Sequence, residues 1–437
     1  MPSLRRHRSL LKLLADRRGS TAIAFGMGAL ALFGTFAFAT DASVWYSARR
    51  AAQNAADTAA SAAVVSLAMA GATPARAAAQ DVTARNGFAN TTGGATTVTV
   101  NIPPTTGTQA NNPSAVEVVV RQRQQMTAAG LFLDSPPFVQ ARSVATLRAT
   151  SNVCILALTG QVWAAGTARV DTPNCVIASN KRDASSIEIV GNSLDVIAFS
   201  LSAVAACQNC TSSRVQLAER FGEYQVPTAD PFVHLQSKTM PRPSNGCINR
   251  NNNNSNLAPF EANGRRVYCG NIQVNGGETL NMSPGTYYIF NGDFRVQGGG
   301  IVRCPTCTGA AGVAIVLTGD PGSIGGIRIN ANSDVNLRAA RVAQDPDFNG
   351  ILFYRDVRGS LGQQNNPSID INGGTTTALA GGLYFPSTHI KINGNAGVLA
   401  CSVIVAASID FIGNADVTGC AAVGTTVPRT QIVVMNQ

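Results

Sequence analysis

One short phrase recurs along the later part of the chain and restricts what that part can fold into. An apolar residue, a variable residue and a second apolar residue are followed two places on by a small residue. It occurs as Ile187-Glu188-Ile189 with Gly191, Ile272-Gln273-Val274 with Gly276, Phe294-Arg295-Val296 with Gly298 and Ile327-Arg328-Ile329 with Ala331. It continues as Ile369-Asp370-Ile371 with Gly373, Ile390-Lys391-Ile392 with Gly394 and Ile409-Asp410-Phe411 with Gly413. The closest copies are about 20 residues apart, with other apolar runs at 153–158, 313–317, 351–354, 383–385 and 403–405.

A period of that size, with short strands and Gly/Asn corners, predicts a mostly β, single-stranded parallel β-helix over 151–437. Alternate residues of a strand face opposite ways. The Ile/Val pairs should therefore stack inside, with Glu188, Arg328, Asp370, Lys391 and Asp410 outside. A β-sandwich is the alternative, and the glycine at a fixed offset speaks against it. Within this region 238–263 is rich in Pro and Asn, has little to bury, and is expected to be a mobile insertion.

The N-terminal part obeys another pattern. Residues 1–18 form a basic tail, with six Lys/Arg against Asp16. Residues 19–40 are apolar and long enough to cross a bilayer, since about 20 residues at 1.5 Å each span about 30 Å. The basic flank predicts a cytoplasmic N-terminus and a periplasmic or extracellular remainder, a single-pass inner-membrane arrangement. Ala37-Phe38-Ala39 offers a competing reading as a signal cleavage site. Residues 41–87 are alanine-rich and predict a helix, interrupted near Gly71 and Pro74. Alternating runs at 98–102, 116–120 and 139–147 predict a small β-meander within 88–150, packed on that helix as an α+β module.

The phrases Arg17-Arg18-Gly19-Ser20-Thr21-Ala22, Asp41 with Trp45-Tyr46, and Gln53-Asn54-Ala55-Ala56-Asp57 occur in that order. Together they resemble the N-terminal module of Tad (Flp) pilus-assembly proteins of the TadE–TadG type. Related pseudopilins carry a Glu inside the span where this chain has Ala24, so the resemblance implies an anchored accessory protein and not a polymerising pilin. The phrase 154–158, followed by 174–177, is also similar to the extracytoplasmic region of some TadG-related proteins. The Asp-x-Ser-x-Ser phrase that a von Willebrand A metal site needs does not occur here. The implied partners are the inner membrane and other Tad subunits.

All ten cysteines lie beyond the span: Cys154, Cys175, Cys207, Cys210, Cys247, Cys269, Cys304, Cys307, Cys401 and Cys420. An even number outside the cytosol reads as disulfides of open connectivity. Cys154/Cys175 and Cys401/Cys420 are each about one repeat apart. Zinc at the two CxxC pairs is the rival, weakened by their wide separation.

Composition argues against several functions. Of the net charge of +9, residues 1–18 carry +5 (six basic minus one acidic), and the remaining +4 forms no basic run. A nucleic-acid footprint is therefore not expected. Of the three histidines only His234 and His389 follow the span, so a Ser-His-Asp site has little material. Asp345-Pro-Asp347-Phe-Asn349-Gly350, with Asp356, follows the spacing of a calcium loop, although strand-like residues follow where a helix should. Asp370, Lys391 and Asp410 share one phrase position and should form a row.

The expected function is a non-catalytic, membrane-anchored accessory component of Tad pilus assembly or adhesion, with no cofactor beyond possible calcium. The alternative is a β-helical carbohydrate-active enzyme or glycan-binding envelope protein, for which acids and aromatics should share one groove.

Overall fold

The computed structural model describes residues 20–127, 129–131, 133–191, 193–243, 247–248, 255–259, 267–359, 369–372, 377–393, 396–400, 402–418 and 424–436. One long apolar N-terminal helix is followed by a chain that is mostly β. Two compact units divide it, one formed by 1–147 with 433–437 and the other by 148–432.

In the first unit, helix α1 (Ser20–Ala70) runs without a break from the apolar stretch into the alanine-rich one. Its early part leaves Ile23, Phe25, Leu32, Phe33 and Phe36 all more than half exposed, and it is long and apolar enough to cross a membrane. Gly71, at φ +88°, ends α1 in a conformation that side chains resist, and α2 (Ala72–Arg85) starts beyond it. Strands β1 (Thr96–Asn101), β2 (Ala115–Arg123) and β3 (Phe138–Ala157) pair antiparallel in sequence order, as the alternating runs predict.

Alanine on α1 lets the sheet approach closely. Ala52, Ala55, Ala56, Ala59, Ala60 and Ala63 are fully buried in one cluster with Val116, Val118, Val120 and Ala141. Glu117 is buried in this unit and bonded by Asn101, Thr105 and Arg142. Burial pushes its carboxyl up, but these donors together outweigh it and hold the pKa below the usual range.

The second unit begins within β3, and the pairings described between residues 153 and 418 are all parallel. They fall into three ladders that the chain visits in turn. The first contains 267–269, 285–290, 313–318, 351–355, 382–385, 402–406, 153–157, 176–179 and 200–203. The second contains every recurring phrase, in the order 272–274, 294–296, 327–329, 369–371, 390–392, 409–412, 162–165, 187–190 and 206–208. The third includes 279–282, 301–303, 334–338 and 378–380, and also 396–400, 415–418, 169–172, 195–198 and 215–217. The spatial order is not the chain order. The last phrase, at 409–411, pairs with 162–164, the second-ladder strand that comes earliest in the chain.

Both apolar residues of each phrase point inward. Ile369, Ile371, Ile390, Ile392, Ile409 and Phe411 are all fully buried in one core. Where the chain turns between the first two ladders, Gly270, Gly292 and Gly325 pack backbone on backbone. A Cβ on Gly292 would come within 1.9 Å of the Gly270 carbonyl oxygen, and one on Gly325 within 2.0 Å of the Gly292 oxygen.

A return segment closes this order by crossing the first ladder from one end to the other. The Gln225 N–H donates to Ala203, and Asn180 exchanges two hydrogen bonds with Thr228. Farther on, Tyr384 Oη donates to Asp230, Tyr354 Oη to the Leu235 carbonyl, and Lys238 Nζ to Asp345. Arg242 then pairs with Asp320, Ile248 bridges to Tyr268, and Cys247 is bonded to Cys269. Phe232 and Leu235 of this segment are buried among Tyr354, Tyr384 and Phe348. Each such apolar side chain contributes roughly 1.5–3 kcal/mol. The stretch 238–263, expected to be a mobile insertion, makes these contacts at 238–243 and 247–248, and its Asn256–Leu257 pairs with the strand at 279–282. Polar composition concealed the anchors Lys238, Met240, Arg242 and Cys247.

Candidate functional site

The second ladder carries one residue per strand on the face opposite the Ile/Val pairs, in unbroken register: Gln273, Arg295, Arg328, Asp370, Lys391, Asp410, Trp163, Glu188 and Gln208. Of these Asp410, expected outside, is buried because its neighbours on that face cover it. Asp370, Lys391 and Asp410, expected in a row, are successive members. Asp370 is half-buried, and one of its carboxylate oxygens has no hydrogen-bond partner. Burial pushes its carboxyl above the usual carboxylate range, with Lys391 and Arg328 opposing.

Two residues before Lys391 and Asp410, the same pair of strands brings His389 beside Ser408. Four side chains therefore share one face: His389 and Lys391 on one strand, Ser408 and Asp410 on the next. His389 Nδ1 lies 2.7 Å from Ser408 Oγ, and His389 Nε2 lies 3.2 Å from Asp410 Oδ2. His389 and Asp410 are buried, at 6% and 1% exposure, while Ser408 is partly exposed. The Nε2 contact is close but off the line of a straight hydrogen bond. The glycine at position 160 matters here, because a Cβ on it would fall 2.6 Å from that of Ser408.

Sequence reasoning assigned no role to Ser408 or His389. They are 19 residues apart, which matches one turn through the ladders, and only that repeat length could have linked them.

The calcium-loop residues do not converge on a common point for an ion. Asp345 and Asp347 both accept from Lys238, and Tyr288 Oη also donates to Asp345. Asn349 accepts from the Ala343 N–H, while Asp356 is taken by Thr318 and Arg358. The positive charge between the first two acids is an ammonium of the chain itself. No group of three His, Cys, Asp or Glu suited to a metal occurs among the described residues.

The electrostatics fit ion pairing. Burial disfavours the Lys238 ammonium, but Asp347 and Asp345 outweigh it and raise its pKa above the ordinary value. The hydrogen bond from Lys238 holds Asp347 below its usual range. Burial also pushes Asp356 up, yet the bonds from Arg358 and Thr318 leave it lowered.

Eight cysteines form four disulfides: Cys154–Cys175, Cys207–Cys210, Cys247–Cys269 and Cys304–Cys307. Both CxxC pairs close on themselves, which removes the thiolates that zinc would need. Cys401 and Cys420 lie outside the described residues.

A groove of about 170 Å³ is lined by Thr150, Ser151, Ser200, Ser202, Glu219, Arg220 and neighbouring residues. It is smaller than the usual range for small-molecule sites, about 300–1,000 Å³. No aromatic residue lines it. The acid-and-aromatic groove that a glycan reading requires is not found there.

Comparison of the chain with protein-family models, with curated proteins and with solved structures gave no match in any of the three.

Proposed function

We propose that this chain is a membrane-anchored accessory component of Tad (Flp) pilus assembly or adhesion, non-catalytic in that role, which presents a rigid extracytoplasmic surface to other Tad subunits. The observation that carries the reading lies on α1. Asp41, Trp45 and Gln53, landmarks of the resemblance, each bond to the β-module that follows. Asp41 accepts from the N–H groups of Thr127 and Ala129, Trp45 Nε1 donates to the Gln125 carbonyl, and Gln53 Nε2 donates to the Arg142 carbonyl and to Asp57. The shared residues thus have a common physical task, holding a folded module just beyond the apolar span.

The remaining chain, on this reading, winds as a single-stranded parallel β-helix. Support comes from the uniform parallel pairing, the three ladders visited in turn and the buried Ile/Val positions. Antiparallel layers, as in a sandwich, would pair differently. The basic residues before the span favour a cytoplasmic N-terminus with the β-rich part outside.

Crosslinking in intact cells, with the Tad machinery present or deleted, tests the role. Enrichment of Tad subunits that vanishes in the deletion strain is the expected result. Equal recovery of the same proteins in both strains would overturn it.

A further inference from the structure

We infer that Ser408 is a nucleophile that accepts an acyl group from an ester or thioester donor, with His389 as its base and Asp410 orienting the ring. The geometry has three parts. Ser408 Oγ is within hydrogen-bond reach of His389 Nδ1 at 2.7 Å. The other ring nitrogen faces the Asp410 carboxylate at 3.2 Å. A proton on Nε2, on the side of that carboxylate though not in line with it, leaves Nδ1 to accept the serine proton. The two ring nitrogens therefore exchange the places they hold in the best-known serine hydrolases, which the chemistry permits because either nitrogen can act as the base.

The surroundings suit the task. Parallel pairing fixes His389 against Ser408 and Lys391 against Asp410, so backbone register sets the triangle and no loop is needed. Asp410 is 1% exposed, which strengthens its hold on the ring because little water competes. Ser408 is the partly exposed member, and the backbone of Gly160 packs against it so closely that any side chain there would collide with the Ser408 Cβ. The slack at Nε2 matches catalytic contacts that tighten only when the reacting group arrives.

The step balances without a redox partner. Ser408 Oγ forms a bond to the acyl carbon while its proton passes to His389 Nδ1. The carbon–oxygen or carbon–sulfur bond to the leaving group breaks, and the alcohol or thiol departs with that proton. The product is an acyl-serine on the β-rich unit. This adds a covalent event to the assembly role and does not depend on it.

The test uses the full-length chain in detergent with a fluorophosphonate probe, which forms an Oγ–P bond and expels fluoride. Peptide mapping should find one adduct per chain, on Ser408, absent from Ser408→Ala. His389→Gln should slow labelling by at least about 100-fold, the usual scale of a positioned base. Asp410→Asn should slow it too, and Asp410→Glu should restore part of the rate, which a merely structural carboxylate would not do. Intact disulfides and unchanged circular dichroism establish folding of each variant. If Ser408→Ala fails to fold, Ser408→Cys serves, with iodoacetamide alkylation faster when His389 is present than in the His389→Gln background. Labelling that misses Ser408, or that proceeds at the wild-type rate in His389→Gln, would overturn the inference.

Discussion

Lys238 and Asp345 meet at 3.0 Å although 107 residues separate them in the chain. Their contact fastens the return segment to the strands it crosses, and Asp347 accepts from the same ammonium. Phe348 places its ring 5.7 Å from Lys238 Nζ, so aromatic and carboxylate groups surround one cation.

Replacing Lys238 with Met should cost about 1–2 kcal/mol, between the value of an exposed pair and that of a charge-assisted hydrogen bond. Denaturant midpoints measure the loss, and limited proteolysis should show earlier cleavage within 222–248. The pH dependence has two limbs. Lys238 is raised in the folded chain, so its stabilisation is complete below the unfolded lysine value of about 10.4 and fades as pH climbs through the folded value. Asp347 is lowered, so its contribution is present above about 3.9 and is lost as pH falls through the folded value. Lys238→Met should flatten both limbs.

Asp41→Ala should release the backbone at Thr127 and Ala129 from α1. The side chain is buried, and it accepts at 2.7 Å from Ala129 and at 3.2 Å from Thr127. Loss of a charged acceptor that leaves two backbone donors unpaired costs about 2–3 kcal/mol. Hydrogen exchange at Thr127 and Ala129 is the direct readout, and faster exchange there with little change at Val118 is the expected pattern.

Asp370→Asn should stabilise the second unit at neutral pH. A carboxyl whose folded value is raised costs stability as pH rises past its unfolded value, and the amide never ionises. The gain should disappear in acid, where both side chains are neutral. Thermal unfolding of the two proteins at pH 7 and near pH 3 compares the cases.

Removing the Cys154–Cys175 bridge as a double alanine variant should cost about 3 kcal/mol, because the disulfide closes a 21-residue separation. The Cys304–Cys307 bridge spans three residues and should cost less, about 2 kcal/mol. Denaturant titration of both variants under non-reducing conditions checks the ranking.

What was legible in the sequence was local. Apolar residues two apart report a buried strand face, so the phrases at 272–274, 327–329, 390–392 and 409–411 marked strands without knowledge of their neighbours. Asp41, Trp45 and Gln53 were visible as a pattern, but only contacts 80 or more residues away show what they do. The stacking order was not legible, because near-identical phrases carry little information on which copy lies beside which. The same reason hid Ser408 and His389, which become neighbours only once register is fixed. The calcium spacing carried no sign of Lys238, which is more than 100 residues away and pairs with both Asp345 and Asp347.

Cysteine pairs test the winding most directly. A chain wound in simple sequence order would place Gln208 next to Gln273, at the passage from one run of phrases to the next, and would leave Trp163 and Asp410 at opposite ends. The observed register instead puts Asp410 beside Trp163. Mass mapping of a Trp163→Cys/Asp410→Cys variant should find a spontaneous 163–410 disulfide, whereas Gln208→Cys/Gln273→Cys should keep two free thiols. The reverse outcome, a 208–273 bond with 163 and 410 unlinked, would contradict the account.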